Sequence, residues 1–117
     1  TQTALGDGVI LAPSVVISVG ATPGPHVHVN VGATISHDCT VAEFGTISPG
    51  AHIGGGVHIG AGTFLGIGSI VRDHVSICEG ALIGAGAVVV KDITTPGTYV
   101  GNPARWMSNR SGWQALS

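Results

Sequence analysis

The sequence predicts an all-β protein, a parallel β-helix wound from six-residue repeats. Three observations predict it. Leu11, Ile17, Val29, Ile35, Val41, Ile47, Ile53, Ile59, Leu65, Val71, Ile77, Ile83 and Val89 are spaced by six or a multiple of six, and only Pro23 interrupts the series. Two positions before each aliphatic residue (position i) the chain is small: Ala33, Cys39, Gly45, Ala51, Thr63, Ser69, Ala81 and Ala87, with Val57 and Val75 larger. Three positions after it glycine recurs, in Gly50, Gly56, Gly62, Gly68, Gly80 and Gly86. A period of six is neither helical nor the plain alternation of a strand. It marks a repeat architecture.

Each element follows from that beat. Residues i−2 and i of a strand face the same side, so one small and one large side chain point inward per repeat. Positions i+2 and i+3 form the turn, where glycine adopts positive φ at little cost. Three repeats make a triangular coil of 18 residues, and stacked coils close on their neighbours. The stretch from Leu11 to Val89 spans between four and five coils. The beat then stops. The run from Lys91 to Gly97 reads as a turn leaving the β-helix, and the run from Tyr99 to Arg105 as a closing segment. Pro103 is placed to start a short helix through Trp106 and Met107. The expected division is a β-helix domain over 1–105 and a C-terminal tail over 106–117. From Ser108 that tail is polar apart from Trp113 and Leu116, and reads as disordered or as a tag remnant. Thr1 is not a methionine, so a fragment of a longer protein or a shorter relative is expected.

The 117 residues suit one domain. Only 9% are charged and the mean hydropathy is +0.48. Even so, no unbroken apolar run approaches the roughly 20 residues of a spanning helix. The uncharged stretch from Phe44 to Val71 is broken by His52, His58 and glycines, so no membrane partner is expected. A net charge of −2 leaves no basic footprint for nucleic acid. The opening run from Thr1 to Ala12 lacks the basic start and apolar stretch of a signal peptide. Cys39 and Cys78 lie more than two coils apart, about 10 Å at the spacing of neighbouring strands, too far for a bridge. Two free thiols fit a reducing cytoplasm.

Six histidines stand out in so apolar a chain. His28, His52 and His58 fall at i−1, outward on strands, and read as surface polar residues. His26 decorates a rigid corner after Thr22-Pro23-Gly24-Pro25, and His74 a solvated corner in Arg72-Asp73-His74. His37 differs, because it sits at a turn in Ile35-Ser36-His37-Asp38-Cys39. A turn histidine beside a carboxylate can serve as a general base, oriented by a charge that favours the imidazolium. Alternatively, adjacent side chains diverge and Asp38 simply binds turn amides. Spacing alone leaves both open.

Four stretches carry a resemblance: Gly8-Val9-Ile10-Leu11-Ala12-Pro13, then Ile35-Ser36-His37-Asp38-Cys39, then Phe64-Leu65-Gly66-Ile67-Gly68-Ser69, then Gly101-Asn102-Pro103-Ala104-Arg105. Through them the chain from Gly8 to Arg105 resembles the β-helix half of the bacterial sugar acetyltransferases of the PglD/NeuD group, members of the hexapeptide-repeat acyltransferases. The resemblance implies left-handed winding, an exception to the right-handed crossover rule. It implies His37 as general base, with Asp38 as its acidic partner. It implies a homotrimer with acetyl-CoA in a groove between two subunits, along which Thr46, Gly55, Ile67 and Ala85 lie. Thr46 stands where the family often has histidine and Ala85 where it has glycine. A hydroxyl still hydrogen-bonds, and alanine is harmless where the contact is through backbone.

His37, Gly55 and Asp73 are separated by 18 and therefore stack at one corner. Gly55 above His37 is expected to leave room for a thioester, with its N–H as a candidate oxyanion donor. The implied activity is direct acetyl transfer, without metal, to a nucleotide-linked amino sugar, or alternatively to sialic acid or another sugar hydroxyl. Nothing in the chain matches the Rossmann-like N-terminal domain with which the family binds sugar nucleotides. A γ-type carbonic anhydrase shares the fold and needs three histidines on zinc across a subunit interface. His37 and His74 suit it, but Glu79 stands where a further histidine is needed. A non-catalytic trimeric scaffold is the third reading.

Overall fold

A computed structural model describes residues 5–109. Strands of two residues recur every six residues and stack into three sheets. The first sheet runs through β1 (Ile10–Leu11), β4 (His28–Val29), β7 (Thr46–Ile47), β10 (Phe64–Leu65) and β13 (Leu82–Ile83) to β15 (Thr98–Val100). The second holds β2 (Val16–Ile17), β5 (Thr34–Ile35), β8 (His52–Ile53), β11 (Ile70–Val71) and β14 (Val88–Val89). The third holds β3 (Thr22–Pro23), β6 (Thr40–Val41), β9 (His58–Ile59) and β12 (Ser76–Ile77). Every pair from β1 to β14 is parallel and in a register of 18, as in Thr46↔Phe64, Thr34↔His52 and Thr40↔His58. The result is a left-handed β-helix of about 5 turns.

The core is the predicted one. Ile35, Ile47, Ile53, Leu65 and Ile83 at position i are buried, and so are Ala33, Cys39, Ala51, Val57, Thr63 and Ser69 at i−2. β-branched residues dominate position i because their stiff side chains suit the extended backbone. Leu11 holds the same position yet is 42% exposed, because β1 is the edge strand of its sheet. Pro23 does not break the coil either. It is buried in β3, an edge strand, where a residue without an N–H costs the ladder nothing.

The turn position i+3 takes positive φ throughout. Nine glycines there, from Gly8 to Gly86, have φ of 67–77°, and Ser14, His26, Asp38, Phe44 and His74 have φ of 58–62°. The non-glycine cases carry backbone strain that a glycine would avoid.

The C-terminus departs from expectation. The short helix expected after Pro103 is absent, and β16 (Arg105–Ser108) pairs antiparallel with β15, bringing Trp106 opposite Tyr99. The tail expected from residue 106 therefore begins as a strand. A helix of about one turn gains little by itself, whereas the open edge of β15 offers unpaired backbone groups and an aromatic cross-strand partner. The turn between them contains a cis Asn102–Pro103 bond. The expectations for Thr1, Trp113 and Leu116 lie outside the described residues. Both cysteines are free thiols, Cys39 buried and Cys78 half-buried. Among the described residues no helix is long and apolar enough to cross a membrane.

Candidate active site

The corner between the second and third sheets holds His37, Gly55 and Asp73 in successive coils. The stacking is visible in the backbone, where Gly56 N–H donates to His37 O (2.9 Å) and His74 N–H donates to Gly55 O (2.8 Å). At its first step Asp38 takes a left-handed backbone (φ 58°). That swings its carboxylate back to His37, with Nδ1 3.3 Å from Oδ2, the one ion pair among the described residues. The two side chains therefore converge rather than diverge. The other Asp38 oxygen lies where a Cβ on Gly20, one coil below, would sit. Both members of the pair face solvent, with side-chain exposures of 65% and 72%.

The imidazole rests on Gly55. A Cβ built there would lie 2.5 Å from His37 Nε2 and 2.6 Å from Cε1. The bare face of Gly55 is thus where the ring itself leans. The ring is held on two sides, Nδ1 by Asp38 and Nε2 against a glycine that must stay bare. A proton on Nδ1, donated to the carboxylate, leaves the Nε2 lone pair available as a base.

Gly54 N–H donates to Val71 O (2.9 Å), but Gly55 N–H makes no hydrogen bond among the described residues. The same turn position is filled by Pro13, Pro25 and Pro49 in other repeats. The ladder does not use this donor anywhere, which leaves Gly55 N–H aimed outward.

The remaining sequence-predicted residues lie elsewhere on the chain. Ile67 and Ala85 stack at the corner between the first and second sheets, and Ile67 is 62% exposed. They line a groove of about 330 Å³ with Ser48, Pro49, Phe64 and Leu82. Thr46 is half-buried on the outward face of β7, beside Phe64. One chain therefore brings His37, Asp38 and Gly55 together, and separately Ile67 and Ala85. Phe64 and Leu82 were not anticipated. Both are apolar residues at i−1, a feature shared with Ile10, Val16, Ile70 and Val88, so the sequence alone does not single them out.

The other histidines mostly make ladder contacts. Thr34 Oγ1 lies 2.7 Å from His52 Nδ1 and Thr40 Oγ1 lies 2.5 Å from His58 Nδ1. His26 stacks on Phe44 with ring centroids 5.0 Å apart. His74 lies against Gly56, where a Cβ would be 2.6 Å from its Nδ1. Among the described residues no three His, Cys, Asp or Glu side chains are grouped to hold a metal ion.

Residues 56–91 match the family described as bacterial transferase hexapeptide (six repeats). The chain is 37% identical over 100 residues to a GDP-perosamine N-acetyltransferase of Escherichia coli O157:H7, a match covering 86% of this chain and 37% of that protein. It is similar to the acetyltransferase domain of PglB from Neisseria gonorrhoeae FA1090 in complex with acetyl coenzyme A, at 37% identity and a TM-score of 0.89, over 91% of this chain and 52% of that one. It is also similar to PerB from Caulobacter crescentus in complex with CoA and GDP-perosamine, at 27% identity and a TM-score of 0.63, over 92% of this chain and 57% of that one. The chain thus spans well under two thirds of the length of these relatives.

Proposed function

We propose that this chain, whose residues 56–91 match the bacterial transferase hexapeptide family and which is similar to bacterial sugar acetyltransferases, transfers acetyl groups from acetyl-CoA to a sugar. The observation that carries this reading is the clamped imidazole: His37 held by Asp38 against Gly55, beside a backbone N–H that the fold leaves unused. Acetyl-CoA, as donor substrate, supplies a thioester carbon open to attack. His37 Nε2 takes the proton from the acceptor amine or hydroxyl as the new bond forms. Asp38 keeps the ring oriented and stabilises the imidazolium. Gly55 N–H faces the thioester oxygen as negative charge develops there. CoA leaves as the thiol, taking up the proton held by His37, and no covalent bond to the protein is required.

The apolar groove of Ile67, Phe64, Leu82 and Ala85 suits the pantetheine arm, with the Thr46 hydroxyl as a polar contact beside it. It lies at a different corner from His37, so one chain does not complete the site. We propose a homotrimer in which the His37 corner of one subunit meets the groove of the next, as a cyclic head-to-tail contact allows. The acceptor is a nucleotide-linked amino sugar, since GDP-perosamine is named for relatives of this chain. Sialic acid or another sugar hydroxyl is the second choice. A cytoplasmic location follows from an acetyl-CoA and sugar-nucleotide chemistry.

The test is release of CoA from acetyl-CoA with GDP-perosamine as acceptor. Replacing His37 by alanine is expected to lower turnover by about 10²–10⁴-fold, the usual worth of a general base, with acetyl-CoA binding retained. Turnover close to wild type would remove His37 from the mechanism.

A further inference from the structure

We infer that Cys39 is a positioning residue for this corner: its buried thiol holds the Gly54–Gly55 peptide so that the Gly55 N–H is presented outward. This rests on the catalytic reading of His37 and Gly55 above.

The observation lies in the turns. Most are closed by a hydrogen bond from the N–H of one coil position to the carbonyl three residues earlier. Examples are Ala21 to Ser18 (3.3 Å), Ala33 to Asn30 (3.2 Å), Ala51 to Ser48 (3.2 Å), Ser69 to Gly66 (3.1 Å) and Ala87 to Gly84 (3.2 Å). The turn from Gly54 to Val57 has no such bond among the described residues. Its carbonyl instead accepts the Cys39 thiol at 3.0 Å, across 15 residues of chain. The second oxygen near that sulfur, His37 O, is 3.7 Å away, and His37 O is already bonded to Gly56 N–H.

Two other inward polar side chains stand at the same offset from a turn carbonyl. Thr63 donates its hydroxyl to Cys78 O at 3.0 Å, again across 15 residues, and the turn from Cys78 to Ala81 also lacks its backbone bond among the described residues. Ser69 stands at the same offset from Gly84, whose carbonyl already takes Ala87 N–H, and Ser69 Oγ is left buried without a partner. At Gly54 and Cys78 an inward donor takes the carbonyl that lacks a backbone turn bond, whereas the turns from Ser36 to Cys39 and from Arg72 to Val75 lack that bond with no inward donor among the described residues.

At Gly54 the choice matters for chemistry. Gly54 C=O and Gly55 N–H belong to one planar trans peptide and point in opposite directions. The N–H at this turn position is unbonded in the other repeats too; at Gly54 it is the thiol, in place of the backbone turn bond, that holds the carbonyl inward and so keeps the N–H outward, on the side where the His37 ring rests. The same bond polarises the peptide and strengthens its N–H as a donor. Burial raises the Cys39 pKa, which keeps the sulfur as the thiol, the form with a hydrogen to give.

Cys39→Ala and Cys39→Ser test the inference in the full chain. Alanine is buried at the equivalent position at Ala21, Ala33, Ala51, Ala81 and Ala87, so Cys39→Ala is expected to fold. Two signals are read: the Gly55 amide proton shift and exchange rate by NMR, and CoA release from acetyl-CoA with GDP-perosamine. Cys39→Ala should move the Gly55 amide and lower kcat by about tenfold, part of the 10²–10³ that an oxyanion donor is worth. The KM for acetyl-CoA should stay the same. Cys39→Ser, which returns a donor, should restore both signals. An unmoved Gly55 amide in Cys39→Ala overturns the role. So does an unchanged kcat while His37→Ala is inactive. Full turnover by His37→Ala is a different failure, which removes the catalytic reading and this role with it.

Discussion

Gly55→Ala is the sharpest perturbation of the corner, because the added methyl meets the His37 ring first. Its Cβ would lie 2.5 Å from His37 Nε2 and 2.6 Å from Cε1, and its three nearest neighbours are all atoms of that ring. Gly55 is not among the residues of positive φ, so alanine adopts its backbone without strain. To regain an ordinary contact of 3.4 Å the imidazole must retreat by about 0.9 Å. An exposed ring can do so cheaply, and surface changes of this kind stay within about 0.5 kcal/mol. A catalytic group misplaced by about 1 Å, however, can cost about 100-fold in rate. Gly55→Ala should therefore keep its melting temperature to within a few degrees while kcat for CoA release falls about 100-fold. The neighbouring Gly54→Ala is the control with the opposite outcome. Its Cβ would meet backbone, Asp73 N at 2.6 Å and Asp73 Cα at 2.9 Å, and overpacking of that kind costs about 1–3 kcal/mol. Thermal unfolding followed by circular dichroism separates the two variants. Full turnover by Gly55→Ala would refute the claim that the ring's rest position matters.

Other expectations concern the clamp, the groove and the core. Asp38→Asn removes the charge that orients Nδ1, and should lower kcat by at least tenfold with little change in acetyl-CoA affinity, checked by steady-state kinetics; an unchanged kcat would make the pair ornamental. Leu82→Asp places a charge in the apolar groove, and should weaken acetyl-CoA binding by at least tenfold in titration calorimetry while the protein stays folded. Ile47→Ala deletes a fully buried side chain and should cost about 2–5 kcal/mol, read from denaturant unfolding; a loss below 1 kcal/mol would mean that the interior collapses around the gap.

The coil was legible in the sequence because its interior is nearly the same at every turn: one aliphatic residue per six from Val29 to Val89, with a small residue two positions before it except at Val27, Val57 and Val75. Pro23 interrupts the aliphatic series yet fits the coil, and the sequence alone does not say that its strand is an edge. Pro103 looked like a helix start, while the competing partner, the open edge of β15, exists only once the coils have stacked. Spacing placed His37, Gly55 and Asp73 at one corner, and Ile67 with Ala85 at another, since His37 and Ile67 are not separated by a multiple of 18. It did not show that the imidazole leans onto Gly55, because that depends on a rotamer. Nor did it show the bond from Cys39 to Gly54 O, which depends on a turn bond failing to form.

The most direct measurement is titration calorimetry of the purified protein with acetyl-CoA, with plain CoA alongside and the oligomeric state determined in the same buffer. The expected result is a trimer that binds acetyl-CoA saturably at one site per chain. A trimer that binds neither ligand would contradict it and favour the scaffold reading, and bound zinc in such a protein would point to the carbonic anhydrase chemistry instead.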